Sequence, residues 1–127
     1  MATVNVNSLS NKLHYVFNLI YDFSISILAV TETWLTHSCS SSFIDLPGFN
    51  FYRGDTAGSV RKHGAGLYVS KSLSALPIEI GIQNLAVMFL PDLGLHVMSV
   101  YRPPSYEQSD NERLVQFLSF RWARSFW

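Results

Sequence analysis

The sequence has a single cysteine, Cys39, set in the polar run THSCSSS. One thiol cannot build a disulfide framework, so the small cystine-stapled secreted scaffolds are excluded and a reducing compartment is expected. No apolar run approaches the roughly 20 residues of a membrane span, because Asp22, Pro91 and Asp92 interrupt the two most apolar regions. The start MATVNVNSL also lacks the basic flank and apolar stretch of a signal peptide. Charge is sparse and balanced, with nine Lys and Arg against nine Asp and Glu, so no global field draws the chain to a polyanion or a membrane. Any polyanion site must be local. Internal repeats are lacking, and so is a glycine-rich phosphate loop: HGAGLYVSK has two glycines without the Lys-Ser/Thr that a P-loop requires, and they suit close strand packing instead. No metal-ligand pairs occur at zinc spacing. His37 and Cys39 have no second pair to close a tetrahedron, and His14, His63 and His96 form no triad pattern.

What the chain does have is apolar bulk. At 127 residues and 48% hydrophobic composition it can bury one sizeable core, and it is too short for two. Val4 and Val6 alternate with polar neighbours as in a short half-buried strand. Leu9, Leu13, Val16, Phe17 and Ile20 then fall at helical spacing, with Ser8 or Ser10 placed to cap the helix. Residues 25–31 (ISILAVT) read as a strand covered on both faces. A polar loop over 38–42 and a Pro47-Gly48 turn precede an aromatic strand over 49–53, and residues 54–63 read as a mobile, partly basic connector. Further strands are expected over 66–70, 76–82, 85–90 and 95–101, the last two joined by the hairpin turn Pro91-Asp92-Leu93-Gly94. Ser109 to Glu112 matches a capping box, with Leu114, Phe117 and Leu118 as the stripe of a second helix. The expectation is an α+β fold with a mixed, mostly antiparallel sheet and helices on one face.

The stretch AVTETWL raises the chemical question. It brings a buried strand to its end and places one carboxylate, Glu32, at the tip, where open α/β sheets present side chains to ligands. A carboxylate there suits Mg²⁺, which takes one or two carboxylates and leaves its other positions to water and phosphate oxygens. It also suits a merely solvated strand end. On residue type alone, Asn5 reads equally as a cap into the helix, and Tyr101 as an ordinary strand aromatic with its hydroxyl at the water line. Arg53, Arg61, Lys62, Lys71 and Arg102 lie in or beside loops, where they are either solvated charges or nonspecific phosphate contacts. Asp45 and Asp55 read as turn residues.

Five strings occur in order: NVNSLSNKL, ILAVTETWL, GFNFYRGD, HGAGLYVSKSL and VYRPPS. Together they resemble the N-terminal half of an endonuclease/exonuclease/phosphatase domain, of the apurinic-endonuclease-like type encoded by non-LTR (LINE-type) retrotransposons. The resemblance covers roughly residues 3–118, so a domain over 1–118 and a non-family tail over 119–127 are expected. It implies a partial α/β sandwich, a metal-dependent phosphodiesterase ancestry and DNA as partner. It gives Glu32 the role of Mg²⁺ ligand, Asn5 that of a neighbour orienting the metal or the scissile phosphate, and Tyr101 that of the active-site tyrosine. Arg53 and Arg102 become weak nucleic-acid contacts. Asn7 stands where the family has Arg in its N-x-R-S-L motif, which weakens a phosphate contact there.

The family's second half brings a Gly-Asp-x-Asn segment and a late Ser-Asp-His, and neither string is present. Loss of a positioned general base costs about a hundredfold or more in rate, so the chain is expected to be a catalytically incomplete fragment. Two packed sheets make the full fold, and this chain is expected to supply about one, leaving an inner face exposed to self-association or aggregation. A noncatalytic interaction module using that face and the aromatic tail is the alternative, with a phosphatase or exonuclease branch behind it. An intracellular location, the nucleus included, is expected.

Overall fold

The computed structural model describes residues 1–56 and 63–102 together with residues 112, 113, 115 and 116. Strand β1 (Ala2–Asn5) leads into helix α1 (Leu9–Asp22) and then strand β2 (Ile27–Thr31), which pairs parallel to β1 with Asn5 opposite Thr31. A short 3-10 turn, Ser41–Ile44, precedes β3 (Phe49–Gly54) and β4 (Ala65–Ser70). These complete a four-stranded sheet in the order β1-β2-β4-β3, antiparallel beyond β2. Strands β5 (Leu76–Ile78), β6 (Leu85–Leu90) and β7 (Leu95–Val100) form a second, three-stranded antiparallel sheet. The expected strand over 76–82 is therefore shorter. Glu112, Arg113, Val115 and Gln116 are helical, whereas the capping residues Ser109 to Asn111 and the tail over 119–127 lie outside the described residues.

Helix α1 buries Leu9, Val16 and Ile20 on the first sheet, against Leu28, Val30 and Tyr68. Phe17 lies outside this stripe at 38% exposure, so the buried face is narrower than the sequence spacing suggests. Neither candidate serine caps the helix through its side chain. Ser8 occupies the N-cap position at φ 85° without a side-chain cap, and Ser10 is already helical. The chain leaving β2 satisfies the helix start instead: Ser8 N–H donates to the Glu32 carbonyl (2.9 Å) and Leu9 N–H to that of Thr33 (2.9 Å). The segment that carries Glu32 is thus tied to the first turn of α1.

The two sheets pack face to face. Ala29, Leu67 and Val69 of the first meet Ala86, Met88 and Leu90 of the second, all buried. Each large side chain hidden there stabilises the fold by roughly 1.5–3 kcal/mol. Ser99 of β7 also donates to the Val30 carbonyl of β2 across the sandwich (3.0 Å). This corrects the expectation of a single sheet with an exposed inner face. The β5-β6-β7 meander is the second layer, folded over β2 and β4, because β4 is apolar at both alternating sets of positions and needs cover on both sides. The interaction-module alternative loses its sheet-face argument with it.

Gly54 makes close layering possible at one end. A Cβ there would lie 2.3 Å from the Leu85 carbonyl carbon and oxygen, so the end of β3 touches the start of β6 only as glycine. Among the described residues, no helix is long and apolar enough to cross a membrane.

Candidate functional site

One end of the sandwich gathers the carboxyl ends of β1, β2, β3 and β7 with the amino ends of β4 and β6. Glu32 follows β2 directly and Tyr101 follows β7 directly, so each is delivered by a different sheet. They meet: the Tyr101 hydroxyl donates to Glu32 Oε1 at 3.1 Å. Both are half-buried. Partial burial, followed by the hydrogen bond to Glu32 and its negative charge, raises the Tyr101 phenol above the ordinary tyrosine range. Tyr101 is therefore a neutral donor at neutral pH. Asn5, at the tip of β1 and in register with Thr31, is exposed one residue from Glu32 on the adjoining strand.

The loops holding this pair are fixed by main-chain bonds. Glu32 N–H donates to the Gly64 carbonyl (2.8 Å), Trp34 N–H to that of His63 (2.9 Å) and Tyr101 N–H to that of Asn84 (2.9 Å). Asn84, 1% exposed, accepts the Gly64 N–H on its side-chain oxygen at 2.7 Å and the Thr56 hydroxyl on the same atom. The His63 ring stacks on that of Tyr101 with centroids 5.6 Å apart. Gly64 is at φ 106°, and a Cβ there would lie 2.3 Å from Thr33 Oγ1.

This end of the molecule is strained. Among the described non-glycine residues, Asn7, Ser8, Glu32, Trp34 and Asn84 have φ between 45° and 85° at this end, and Ser24 is the sixth residue with positive φ. Asparagine tolerates this region, but for the other residues such conformations cost on the order of 1–3 kcal/mol each, and they concentrate at functional sites. Three buried polar atoms in the same loops have no partner among the described residues: Thr33 Oγ1, Trp34 Nε1 and His63 Nδ1.

Arg53 is tied into the protein's own hydrogen bonds. Its guanidinium donates to both carboxylate oxygens of Asp55 (3.3 and 2.6 Å), to the carbonyls of Cys39 (2.6 Å) and Thr36 (3.0 Å), and to Ser41 Oγ (3.2 Å). All five N–H groups are engaged inside the protein, so this residue ties the loop after β2 to the end of β3. Asp55, read as a turn residue, is its ion-pair partner. Lys71 follows β4 at the far end of that strand, away from Glu32, while Arg61 and Lys62 lie outside the described residues. Arg102 is exposed beside Tyr101. His96 stacks on Phe89 in the β6-β7 hairpin. His63, Gly64 and Asn84 were not singled out from the sequence as site residues. For Asn84 the cue was a polar residue standing just before an apolar strand, which is common, and His63 and Gly64 open the string HGAGLYVSK, whose glycines read as close strand packing.

Among the described residues, no three His, Cys, Asp or Glu side chains come together as a metal site. The donor set beside Tyr101 is the Glu32 carboxylate with an amide nearby, while the other carboxylate at this end, that of Asp55, is paired with Arg53. That fits a hard divalent ion holding most of its shell from water and phosphate oxygens, and does not fit a zinc-type cage.

No protein-family model and no curated protein sequence matches the chain. Solved structures do. The chain is similar to NExo, a 3′ phosphatase from Neisseria bound to product DNA hairpin, with a TM-score of 0.70 and 20% identity over 97% of this chain and 52% of that one. It is similar to the AP endonuclease LMAP from Leishmania major, with a TM-score of 0.68 and 17% identity over 91% and 46%. It is also similar to the endonuclease domain of TRAS1, a telomere-specific non-LTR retrotransposon, with a TM-score of 0.59 and 14% identity over 90% and 49%. The fold is therefore that of the endonuclease/exonuclease/phosphatase superfamily, and the chain spans about half the length of the solved structures it matches.

Proposed function

We propose that this chain carries the Glu32-bearing part of a divalent-metal-dependent phosphodiesterase that acts on DNA, descended from a retrotransposon endonuclease and catalytically incomplete alone. The hydrogen bond between Tyr101 and Glu32 carries the reading, because it places a carboxylate and a neutral phenol donor from different sheets side by side at the end where the strands present their tips. Glu32 would hold Mg²⁺, with Asn5 beside it and the Tyr101 hydroxyl, which donates to Glu32, next to the phosphate. When bound, such an ion polarises phosphoryl oxygens and lowers the pKa of an attacking water. The chain's own groups orient the phosphate and supply hydrogen bonds to developing charge. Incompleteness is supported by the lack, among the described residues, of any cluster of three metal-ligating side chains and by the absence of the Gly-Asp-x-Asn and Ser-Asp-His strings.

The test uses the full chain with Mn²⁺ as paramagnetic stand-in. Selective broadening of Glu32 and Tyr101 signals, lost in Glu32→Gln, supports the reading; broadening that the substitution leaves unchanged overturns it. Supercoiled plasmid with Mg²⁺ is expected to stay intact. Nicking that Glu32→Gln abolishes would overturn the claim of incompleteness and keep the rest.

A further inference from the structure

Four hydrogen bonds close a circuit at this rim. Glu32 N–H donates to the Gly64 carbonyl (2.8 Å), Gly64 N–H to Asn84 Oδ1 (2.7 Å), Tyr101 N–H to the Asn84 carbonyl (2.9 Å), and the Tyr101 hydroxyl back to Glu32 Oε1 (3.1 Å). Asn84 is the member that joins the layers. It precedes β6 in the second sheet, where its carbonyl fixes the backbone of Tyr101. Its side chain reaches the first sheet, where Oδ1 fixes the residue that in turn fixes Glu32.

The residue type follows from two demands. The backbone at 84 is at φ 59°, which asparagine, aspartate and glycine adopt at low cost and branched or bulky residues do not. The buried Gly64 N–H and Thr56 hydroxyl both need an acceptor on the same short side chain, which glycine lacks. Asparagine meets both without burying a charge at 1% exposure.

We propose that Asn84 is a positioning residue that registers Tyr101 against Glu32. This rests on the reading of Glu32 as the ion-holding carboxylate. Asn84 acts through its two partners and touches neither ion nor phosphate. Removing such an outer partner costs about 10- to 100-fold in metal affinity elsewhere.

The test compares two variants that both tolerate the left-handed backbone. Asn84→Asp keeps an acceptor oxygen, and Asn84→Gly removes it. With ring-labelled tyrosine, Asn84→Gly is expected to shift the Tyr101 ring signals while those of Tyr52 stay in place, and to weaken Mn²⁺ binding about tenfold. Asn84→Asp is expected to retain the Tyr101 ring signals; these alone are compared for it, because the added acid changes the local charge that Mn²⁺ meets. A folded Asn84→Gly protein with wild-type Tyr101 signals overturns the proposal, whatever its Mn²⁺ affinity, since the effect must run through that ring. Should Asn84→Gly not fold, Thr56→Val removes one donor to the same oxygen and is expected to shift Tyr101 less; unmoved signals there also overturn it. If the wild type binds no Mn²⁺, the functional reading fails, and the Tyr101 signals still decide the role of Asn84.

Discussion

Tyr101 Oη stands 3.1 Å from Glu32 Oε1, joining two residues 69 positions apart in the chain. The contact exists because β2 and β7 end at the same side of a two-layer sandwich. Replacing Glu32 by Gln keeps a carbonyl oxygen for the phenol and removes the charge. Stability is expected to change by less than about 1 kcal/mol in denaturant unfolding, while divalent-ion binding falls at least about tenfold by calorimetry.

Replacing Tyr101 by Phe removes one hydrogen bond at a half-exposed position. We expect a loss of about 1 kcal/mol, together with retained stacking against His63 and a Glu32 carboxylate left without its phenol donor. A loss above about 3 kcal/mol would show that the hydroxyl supports the fold more widely than the single contact implies.

Arg53 is expected to be structural. Arg53→Ala strands Asp55 and two carbonyls at partly buried positions and should cost about 2–4 kcal/mol. Arg53→Lys should recover little, because one ammonium cannot reproduce the five-donor fork. Chemical denaturation reads both, and a mild effect for both would return Arg53 to the list of surface cations.

Gly64→Ala should destabilise by at least about 2 kcal/mol, since the added methyl meets Thr33 Oγ1 at 2.3 Å on a backbone held at φ 106°. The same change at Gly48, which also has positive φ but no atom within 4 Å of an added Cβ, should cost less. Equal losses at the two positions would mean that backbone strain alone sets the cost.

Alkaline pH offers a separate test. Tyr68 is fully buried, and its phenol is pushed well above the ordinary range by burial and then by the charge of Asp45, while its hydroxyl donates to the Ile44 carbonyl (2.6 Å). Tyr101 is shifted in the same direction. Because both folded values lie above the unfolded value near 10, their contribution is fully present below about pH 10 and declines as pH rises beyond it. Unfolding free energy is therefore expected to be flat in this respect up to about pH 10 and to drop above it. Tyr68→Phe should shallow that drop while losing about 1 kcal/mol at neutral pH.

Much of the strand order was legible because it rests on local signals. The branched run ISILAVT, the Pro47-Gly48 turn and the Pro91-Asp92-Leu93-Gly94 turn mark elements that the structure contains, and Gly94 takes the positive φ (63°) that such a turn uses. Glu32 stood out because it ends an apolar strand, and Tyr101 only through the resemblance carried by VYRPPS. The second layer was not legible: whether β5, β6 and β7 extend the first sheet or cover it depends on pairing between distant segments, which periodicity does not report. Asn84 and His63 escaped notice for a related reason. Their importance lies in partners 17 to 38 positions away; Asn84 stands in none of the quoted strings, and His63 opens HGAGLYVSKSL without any spacing that marks it as a site residue. The structural ties of Arg53 were not legible either, because three of its acceptors lie 12 to 17 positions earlier in the chain.

Since the chain supplies strands to both layers, Ala29, Leu67 and Val69 are already covered by Ala86, Met88 and Leu90. A polypeptide that enlarged this structure by main-chain pairing would template against the outermost strands, β1 or β3 in one layer and β5 or β7 in the other, and widen each layer in its own plane.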